Sequence, residues 1–300
     1  MSTADYKKLF TSVQNGNDVR GTVIPTETEK QTFSGPMAAY IARAFAGFLA
    51  EKCGKPVSGL RIGVGHDSRV TADMITAACL AGLSGAQVYD CGLITTPAMF
   101  QSTVLPGSGF DGAIMITASH LPFNRNGLKF FTGDGALAKA ELTKILDAAA
   151  ALAAEYAEPD PQTLLTADAL PKGTGSAETF DMKAVYCGHM MDVIRREVSA
   201  EDYEHPLKGL HIVEDAGNGA AGFFATDILE PLGADISGSV YLEPDGTFPN
   251  HVPNPENHTA MEAARKATLD AEADLGVILT ATATGARWCF PTGRKSTGTH

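Results

Sequence analysis

The stretch that decides the fold runs from residue 116 to residue 131 and reads Ile116-Thr117-Ala118-Ser119-His120-Leu121-Pro122-Phe123-Asn124-Arg125-Asn126-Gly127-Leu128-Lys129-Phe130-Phe131. It follows an apolar segment, residues 112–116, that is typical of a buried β-strand. The Ser119–His120 step therefore places a hydroxyl nucleophile beside an imidazole at the end of a strand. Gly127 and Lys129 follow eight and ten residues after Ser119.

Strand-like and helix-like segments alternate along the rest of the chain. The predicted helices span residues 35–52, 72–83, 139–156, 180–198, 223–232 and 262–273. The predicted strands span residues 60–65, 86–90, 112–116, 210–215 and 275–279. Ser34 is the predicted N-cap of the first helix, and the polar, glycine-containing residues 157–179 indicate a connection between domains. This alternation predicts an α/β layer fold.

Composition limits the class of protein. Three hundred residues suggest about two domains, and the net charge of -12 argues against a nucleic-acid partner or an anionic membrane surface. No apolar run approaches the ~18 residues that a membrane span needs, and the first residues lack the apolar core of a signal peptide. Five scattered cysteines fit reduced thiols, without zinc-site spacing. We expect a cytoplasmic protein with no membrane or nucleic-acid partner.

Residues 116–131 resemble the phosphoserine loop of the α-D-phosphohexomutases, the phosphoglucomutase and phosphomannomutase family. The family pattern is T-A-S-H-N-P with N-G-x-K downstream, and Leu121 stands where many members have Asn. Five further segments resemble family motifs in the family's order across residues 14 to 279. They are Asp18-Val19-Arg20-Gly21, Gly65-His66-Asp67-Ser68-Arg69, the G-x-x-x-T-P turn at residues 92–97, the D-x-x-N-G turn at residues 215–219, and the P-D-G-x-F-P-x-H-x-P-N-P-E segment at residues 244–256.

The resemblance implies a fold of two consecutive α/β domains, each with a mixed sheet flanked by helices. Domain I would cover residues 1–175 and domain II residues 176–279. It also implies an isomerase that moves a phosphoryl group reversibly between O1 and O6 of a hexose phosphate. The reaction would run through a phosphoserine and a hexose 1,6-bisphosphate, which also acts as an activator.

The same resemblance assigns roles to single residues. Ser119 would be both the phosphoryl donor and the acceptor, and its phosphoserine oxygen would be a ligand of Mg²⁺. Arg20, His120 and Lys129 would stabilise the transferring phosphate, with Lys129 acting as a point charge. A hydroxyl with the role of Ser119 needs exposure, nearby positive charge and usually a metal ion. The substrate would be a hexose phosphate, with the choice among glucose, mannose and glucosamine phosphates left open. The oligomeric state is undetermined.

Other motif residues have structural interpretations. We interpret Asp67 and Arg69 as a buried ion pair that holds loops together, and residues 92–97 as a structural turn. The turn after Asp215 is interpreted as a tight strand-to-helix connection. His251 and Glu256 could be mistaken for a metal pair, but the resemblance makes their segment a scaffold loop, so the predicted metal site excludes both.

The resemblance breaks directly after residue 279. The family has a metal loop there, D-G-D-x-D-R, whose three carboxylates bind Mg²⁺. This chain has Thr280, Thr282 and Thr284 at the positions of the three aspartates, and no carboxylate occurs from Thr280 to His300. Because Mg²⁺ prefers charged oxygen ligands, threonine hydroxyls would bind it poorly.

Codon degeneracy suggests one origin for this break. Restoring a single G before the codon of Thr280 permits a reading of residues 280–300 that resembles the family past its metal loop. We therefore hypothesise that residues 280–300 are a frameshifted, disordered tail and that the chain is a truncated, inactive mutase. Three alternatives stay open: a divergent pseudoenzyme, a non-catalytic phosphosugar-binding or regulatory protein, and a structural or interaction fragment.

Overall fold

The chain divides into two compact units. The computed structural model describes residues 3–156, 160–166 and 175–291. Unit 1 comprises Met1–Gly92, Met99–Ala118 and Pro122–Phe180, and unit 2 comprises Leu93–Ala98, Ser119–Leu121 and Asp181–His300. The predicted domain bounds, 1–175 and 176–279, remain a prediction.

Unit 1 is built on one mixed sheet of eight strands. In chain order the strands are β1 (Gln14–Asn15), β2 (Asp18–Thr22), β3 (Arg61–His66), β4 (Gln87–Leu93), β5 (Gly112–Ile116), β6 (Arg125–Thr132), β7 (Gly135–Ala136) and β8 (Glu178–Thr179). Their spatial order is β1-β2-β6-β5-β3-β4-β8, with β7 beside β6. β3 and β5 run parallel, whereas β6 is antiparallel to both β2 and β5. The predicted mixed α/β class is confirmed.

Helices cover this sheet. They are α1 (Thr3–Ser12), α2 (Gly35–Cys53), α3 (Ala72–Gly82), α5 (Lys139–Tyr156) and α6 (Thr163–Thr166). A further short helix, α4 (Thr96–Gln101), begins in a segment of unit 2 and ends in unit 1. α2 packs against α3 and α5, and α1 packs against α5. α2 begins as predicted, because the Ser34 side chain accepts a hydrogen bond from the amide of Met37. Large apolar side chains such as Phe45, Ile114 and Phe130 are buried between the layers.

Unit 2 carries a smaller mixed sheet of three strands in the order β11-β10-β9. These strands are β9 (Ile212–Asp215), β10 (Leu275–Leu279) and β11 (Ala286–Cys289). β10 is parallel to β9 and antiparallel to β11. The helices are α7 (Met182–Val198), a π-helical turn at Ala225–Leu229 and α8 (His258–Asp270), and α8 packs against β9 and β10. Within the described ranges, no helix is both long enough and apolar enough to cross a membrane.

The predicted disorder of the tail is wrong for residues 280–291. A turn closed by the hydrogen bond from the amide of Thr280 to the carbonyl of Gly285 (3.0 Å) leads into β11. β11 pairs with β10 from Leu279↔Ala286 to Gly276↔Cys289. Strand pairing uses backbone groups, so a divergent sequence can form this hairpin. Residues 292–300 lie outside the described residues, and the frameshift remains a hypothesis.

Candidate active site

A buried ion pair fastens the chain on the N-terminal side of Ser119. The Asp67 carboxylate accepts a hydrogen bond from the Thr117 hydroxyl (Oγ1 to Oδ2, 2.7 Å). The same oxygen accepts from the Arg69 guanidinium (Nε to Oδ2, 3.1 Å), and neither side chain of the pair has any exposed surface. The interpretation of Asp67 and Arg69 as a buried, loop-holding ion pair is therefore confirmed.

The same guanidinium fastens the chain on the C-terminal side of Ser119. Arg69 Nη1 donates to the carbonyl oxygens of Pro122 (2.6 Å) and Arg125 (2.9 Å). Burial raises the pKa of Asp67 and lowers the pKa of Arg69, and the charge of each partner opposes the shift of the other. The segment between Thr117 and Pro122 thus has both ends held by one network.

Ser119 lies between these two held ends. Its backbone φ is 55°, in the left-handed region that non-glycine residues seldom adopt. The residue is only 3% exposed, so the expectation of an exposed hydroxyl is wrong for this structure. Such a conformation persists where the surroundings fix it, and it is common at functional sites. The adjacent His120 is exposed. The catalytic roles of Ser119 and His120 remain predictions.

Strand register brings Arg20 and Lys129 together. β2 pairs with β6 through Val19↔Leu128 and Arg20↔Gly127, so the next position places Asp18 opposite Lys129. Residues two apart on a strand share one face, which puts Asp18 and Arg20 on the same side. Asp18 Oδ2 accepts hydrogen bonds from Arg20 Nη2 (2.9 Å) and from Lys129 Nζ. Both predicted cations thus meet at one carboxylate that the sequence reasoning did not single out.

The N-G-x-K motif has a steric cause. A Cβ atom at Gly127 would lie 1.9 Å from the carbonyl oxygen of Val19, so only glycine fits beside β2 at this position. Arg20 retains one further donor, because its Nε atom is buried and meets no acceptor among the described residues. The geometry of β2 and β6 therefore presents a guanidinium, an ammonium and an unused N–H group on one face.

Two family models match the chain. The model for phosphoglucomutase/phosphomannomutase alpha/beta/alpha domain I matches residues 12–156, and the model for domain II matches residues 186–282. The chain belongs to the phosphoglucomutase/phosphomannomutase family. This confirms the resemblance drawn from residues 116–131 and from the other ordered motifs.

Individual relatives agree with this family. Phosphoglucosamine mutase of Caldicellulosiruptor saccharolyticus is 31% identical over 243 residues, which are 80% of this chain and 48% of that protein. Phosphomannomutase/phosphoglucomutase of Pseudomonas aeruginosa is 29% identical over 283 residues, 92% of this chain and 52% of that protein. A crystal structure of a family protein from Burkholderia thailandensis has the same fold, with a TM-score of 0.70 and 22% identity over 98% of this chain and 56% of that chain. The chain spans about half the length of the curated relatives it matches.

A second carboxylate, that of Glu29, holds the chain shortly after Ser119. Glu29 accepts hydrogen bonds from Arg125 Nη2 (2.7 Å) and Asn124 Nδ2 (2.9 Å). The hydrogen bond from Arg125 is the main cause of a lowered pKa of Glu29. Asn126 is fully buried and donates to the hydroxyl of Thr71 (2.9 Å). Sequence reasoning missed these contacts, because they join residues that lie far apart in the chain.

The loop at the position of the family's metal loop has no charged ligand. The Thr284 hydroxyl lies 3.2 Å from the Thr280 hydroxyl and 3.5 Å from the Thr282 hydroxyl, and the amide of Gly285 donates to Thr280 Oγ1 (3.2 Å). In the part of the chain that the structure describes, no group of three or more His, Cys, Asp or Glu side chains could hold a metal ion. These residues do not fit Mg²⁺, which prefers carboxylate oxygens in octahedral geometry.

His251 belongs to a separate buried pair in unit 2. Its Nε2 atom lies 3.0 Å from both carboxylate oxygens of Asp215, and its Nδ1 atom lies 3.1 Å from the carbonyl oxygen of Val252. Burial acts to lower the pKa of His251, but the hydrogen bond and the charge of Asp215 raise it overall. With an acceptor at each ring nitrogen, the imidazole has the environment of a doubly donating cation, which has no lone pair for a metal.

Proposed function

We propose that the chain takes part in phosphoryl transfer with hexose phosphates and that Ser119 is the residue that receives the phosphoryl group. Its relatives are named phosphoglucosamine mutase and phosphomannomutase/phosphoglucomutase. The residues that match the family's phosphoserine motif form a loop in this chain whose two ends are held in place. Phosphoryl transfer depends mostly on positioning and on stabilising charge, so such a loop suits the reaction.

The observation that carries the proposal is the network around Asp67 and Arg69. It fixes Thr117 before Ser119, and Pro122 and Arg125 after it, with hydrogen bonds of 2.6 to 3.1 Å. A buried ion pair is a costly way to hold an ordinary surface turn. Its presence beside a serine in a strained backbone conformation supports a nucleophile that is held in a fixed orientation.

The proposed step has a simple balance of atoms. Ser119 Oγ attacks a phosphorus atom of a hexose 1,6-bisphosphate, an Oγ–P bond forms, and the bond from that phosphorus to the sugar oxygen breaks. The hydroxyl proton of Ser119 leaves to a base, and the sugar oxygen gains a proton, which gives a hexose monophosphate and phosphoserine. We assign the proton transfer to His120 and the stabilisation of the phosphoryl charge to Arg20 and Lys129.

Mass spectrometry of the whole chain tests this proposal. After incubation with glucose 1,6-bisphosphate and proteolysis, we expect one phosphate on the peptide that contains Ser119, and none on that peptide in Ser119→Ala. Ser58→Ala is the control, because it removes an exposed serine hydroxyl outside the loop and its ion pair and leaves Ser119 in place. Absence of phosphate on Ser119, or equal phosphorylation of the Ser119→Ala peptide, would refute the proposal.

The threonine loop favours a second function for the chain as it stands, which is phosphosugar binding without completed isomerisation. Thr280, Thr282 and Thr284 offer hydroxyls where the family has carboxylates. A catalytic metal typically contributes several kcal/mol of transition-state stabilisation. We therefore propose that this chain does not complete the mutase reaction, even where Ser119 accepts a phosphoryl group.

A further inference from the structure

Three charged side chains on β2 and β6 form a group that the proposed function uses only in part. Asp18 Oδ2 accepts from both Arg20 and Lys129, and the three side chains are 10%, 16% and 16% exposed. Two cations that converge on one point repel each other, and this repulsion grows as they leave water. Without a carboxylate between them, the guanidinium and the ammonium would separate.

We propose that Asp18 is a positioning residue, whose carboxylate holds Arg20 and Lys129 side by side so that they act as one binding group for a phosphoryl group. The inference rests on the proposed function, because it assigns a role within the same site. One carboxylate against two cations leaves the group with one net positive charge. An anion can therefore still bind beside it.

Two observations favour an anion as the ligand of this group. The Nε–H group of Arg20 is buried and finds no acceptor among the residues described, so a strong donor remains for a phosphate oxygen. Arg69 is neutralised by its buried ion pair with Asp67, so the net positive charge that would meet an anion comes from Arg20 and Lys129.

A competing role for Asp18 makes the opposite prediction. If Asp18 only neutralised excess positive charge, its removal would strengthen the binding of any anion. If Asp18 positions the two cations, its removal weakens the binding even though the chain becomes less negative. The sign of the change in phosphate affinity therefore distinguishes a positioning residue from a neutralising one.

The experiment is a titration of the whole chain with inorganic phosphate, followed by ³¹P NMR. We expect Asp18→Asn to weaken phosphate binding about tenfold, the size of effect typical of one charge-assisted hydrogen bond. Asp18→Glu, which restores the carboxylate, should recover part of the affinity. Asp111→Asn is a matched control in the same unit, because Asp111 is 15% exposed and holds Lys55 (2.6 Å). It makes the same change in net charge and should leave phosphate affinity unchanged within about twofold.

A second measurement checks the ion pair itself. Acetylation of lysine amines, measured by mass spectrometry, should be faster at Lys129 in Asp18→Asn and faster at Lys55 in Asp111→Asn. Each substitution should leave the rate at the other lysine unchanged. An unchanged rate at Lys129 would overturn the inference, because Asp18 would then not hold that amine. If Asp18→Asn lost its fold, all of its lysines would be labelled faster. The Asp18→Glu variant would then decide. A phosphate affinity of Asp18→Glu no higher than that of Asp18→Asn would overturn the inference.

The outcomes separate this inference from the proposed function. Unchanged or tighter phosphate binding in Asp18→Asn, with binding still lost in Arg20→Ala and Lys129→Ala, would overturn only the role of Asp18. Phosphate binding that survives both Arg20→Ala and Lys129→Ala would overturn the role of the two cations and the role of Asp18 with it.

Discussion

Two loops that follow inner strands of this molecule are held in opposite ways. The loop after β5 is fastened by the buried pair of Asp67 and Arg69, which reaches Thr117, Pro122 and Arg125. The loop after β10 is held by its own backbone turn, by the hydrogen bond from the amide of Ala220 to the carbonyl of Ala281 (2.7 Å), and by threonine hydroxyls.

The difference shows which parts of each loop depend on particular side chains. The loop at Ser119 depends on charges that no other residue type can replace, because the guanidinium reaches a carboxylate and two carbonyl groups at once. The loop at residues 280–285 keeps a defined conformation with no charged side chain. Charged ligands for a metal are therefore not required for the fold of unit 2, whereas the ionic network is built into unit 1.

The largest expected effect is a loss of stability when the ion pair that holds the loop after β5 is removed. Arg69→Ala leaves the Asp67 carboxylate buried without its ionic partner, so we expect a loss of about 3–5 kcal/mol in the free energy of unfolding of unit 1. Urea denaturation of the whole chain measures this loss. Lys7→Ala is the control, because Lys7 pairs with Asp147 on the exposed surface of the same unit, and such pairs contribute about 1 kcal/mol or less. A loss in Arg69→Ala no greater than in Lys7→Ala would show that the loop at Ser119 is not held by its ion pair.

The next largest effect concerns how stability depends on pH, and it follows from a comparison of two buried carboxyl groups, those of Asp67 and Glu214. Asp67 has a cationic partner, whereas the carboxyl group of Glu214, on β9, has no ion-pair partner among the described residues, and only the backbone amide of Ala225 acts to lower its pKa. Burial, with a smaller contribution from the negative charge of Asp215, raises the pKa of Glu214 from its usual 4.5 to about 8. Folded unit 2 therefore keeps a proton on Glu214 at a pH where the unfolded chain has released it.

The consequence is a loss of stability as the pH rises. For Glu214 the free energy of unfolding falls between pH values of about 4.5 and 8, with a slope of up to about 1.4 kcal/mol per pH unit. The raised pKa of His251 acts in the same direction, since its stabilising charge is fully present below its usual pKa and is lost as the pH rises through the folded value. Urea denaturation at several pH values measures both contributions.

Substitution of Glu214 isolates its share of that slope. In Glu214→Gln the slope should become smaller, and the variant should gain stability relative to the natural chain as the pH increases. Glu230→Gln removes a charge from the exposed surface of the same unit and should leave the slope unchanged. If the free energy of unfolding depended on pH equally in the natural chain and in Glu214→Gln, the carboxyl group of Glu214 would not remain protonated in the folded chain.

The smallest effect concerns the second loop. Thr282 is fully buried, and the contact of its hydroxyl with the Thr284 hydroxyl is long, at 3.5 Å. We expect Thr282→Val to cost less than about 1 kcal/mol in the free energy of unfolding, because the loop is held mainly by backbone groups. A loss as large as that of Arg69→Ala would mean that this loop, too, depends on a side-chain network and would remove the contrast between the two loops.

Sequence patterns predicted the bounds of three elements correctly. The strands at residues 112–116 and 275–279 and the helix at residues 139–156 have the predicted bounds, because apolar runs and helical spacing mark both of their ends. β11 could not be predicted, since its residues show no alternation and its stability comes from backbone pairing with β10.

The candidate site was predicted only in part for a related reason. The motifs identified Arg20 and Lys129, but β2 and β6 were not predicted as strands, and the role of Asp18 depends on the register between them. The ion pair of Asp67 and Arg69 was predicted because its motif is local, with the two residues two positions apart. Contacts such as Glu29 to Arg125 join residues 96 positions apart and leave no pattern in a single sequence.

A mutase assay tests the contrast between the two loops most directly. The natural chain and Ser119→Ala are each supplied with glucose 1-phosphate, Mg²⁺ and glucose 1,6-bisphosphate, and the formation of glucose 6-phosphate is followed. We expect no turnover above background in either, because the loop at residues 280–285 offers no charged ligand for the metal. Turnover in the natural chain that Ser119→Ala abolishes would contradict this and would show that the threonine loop does not prevent catalysis.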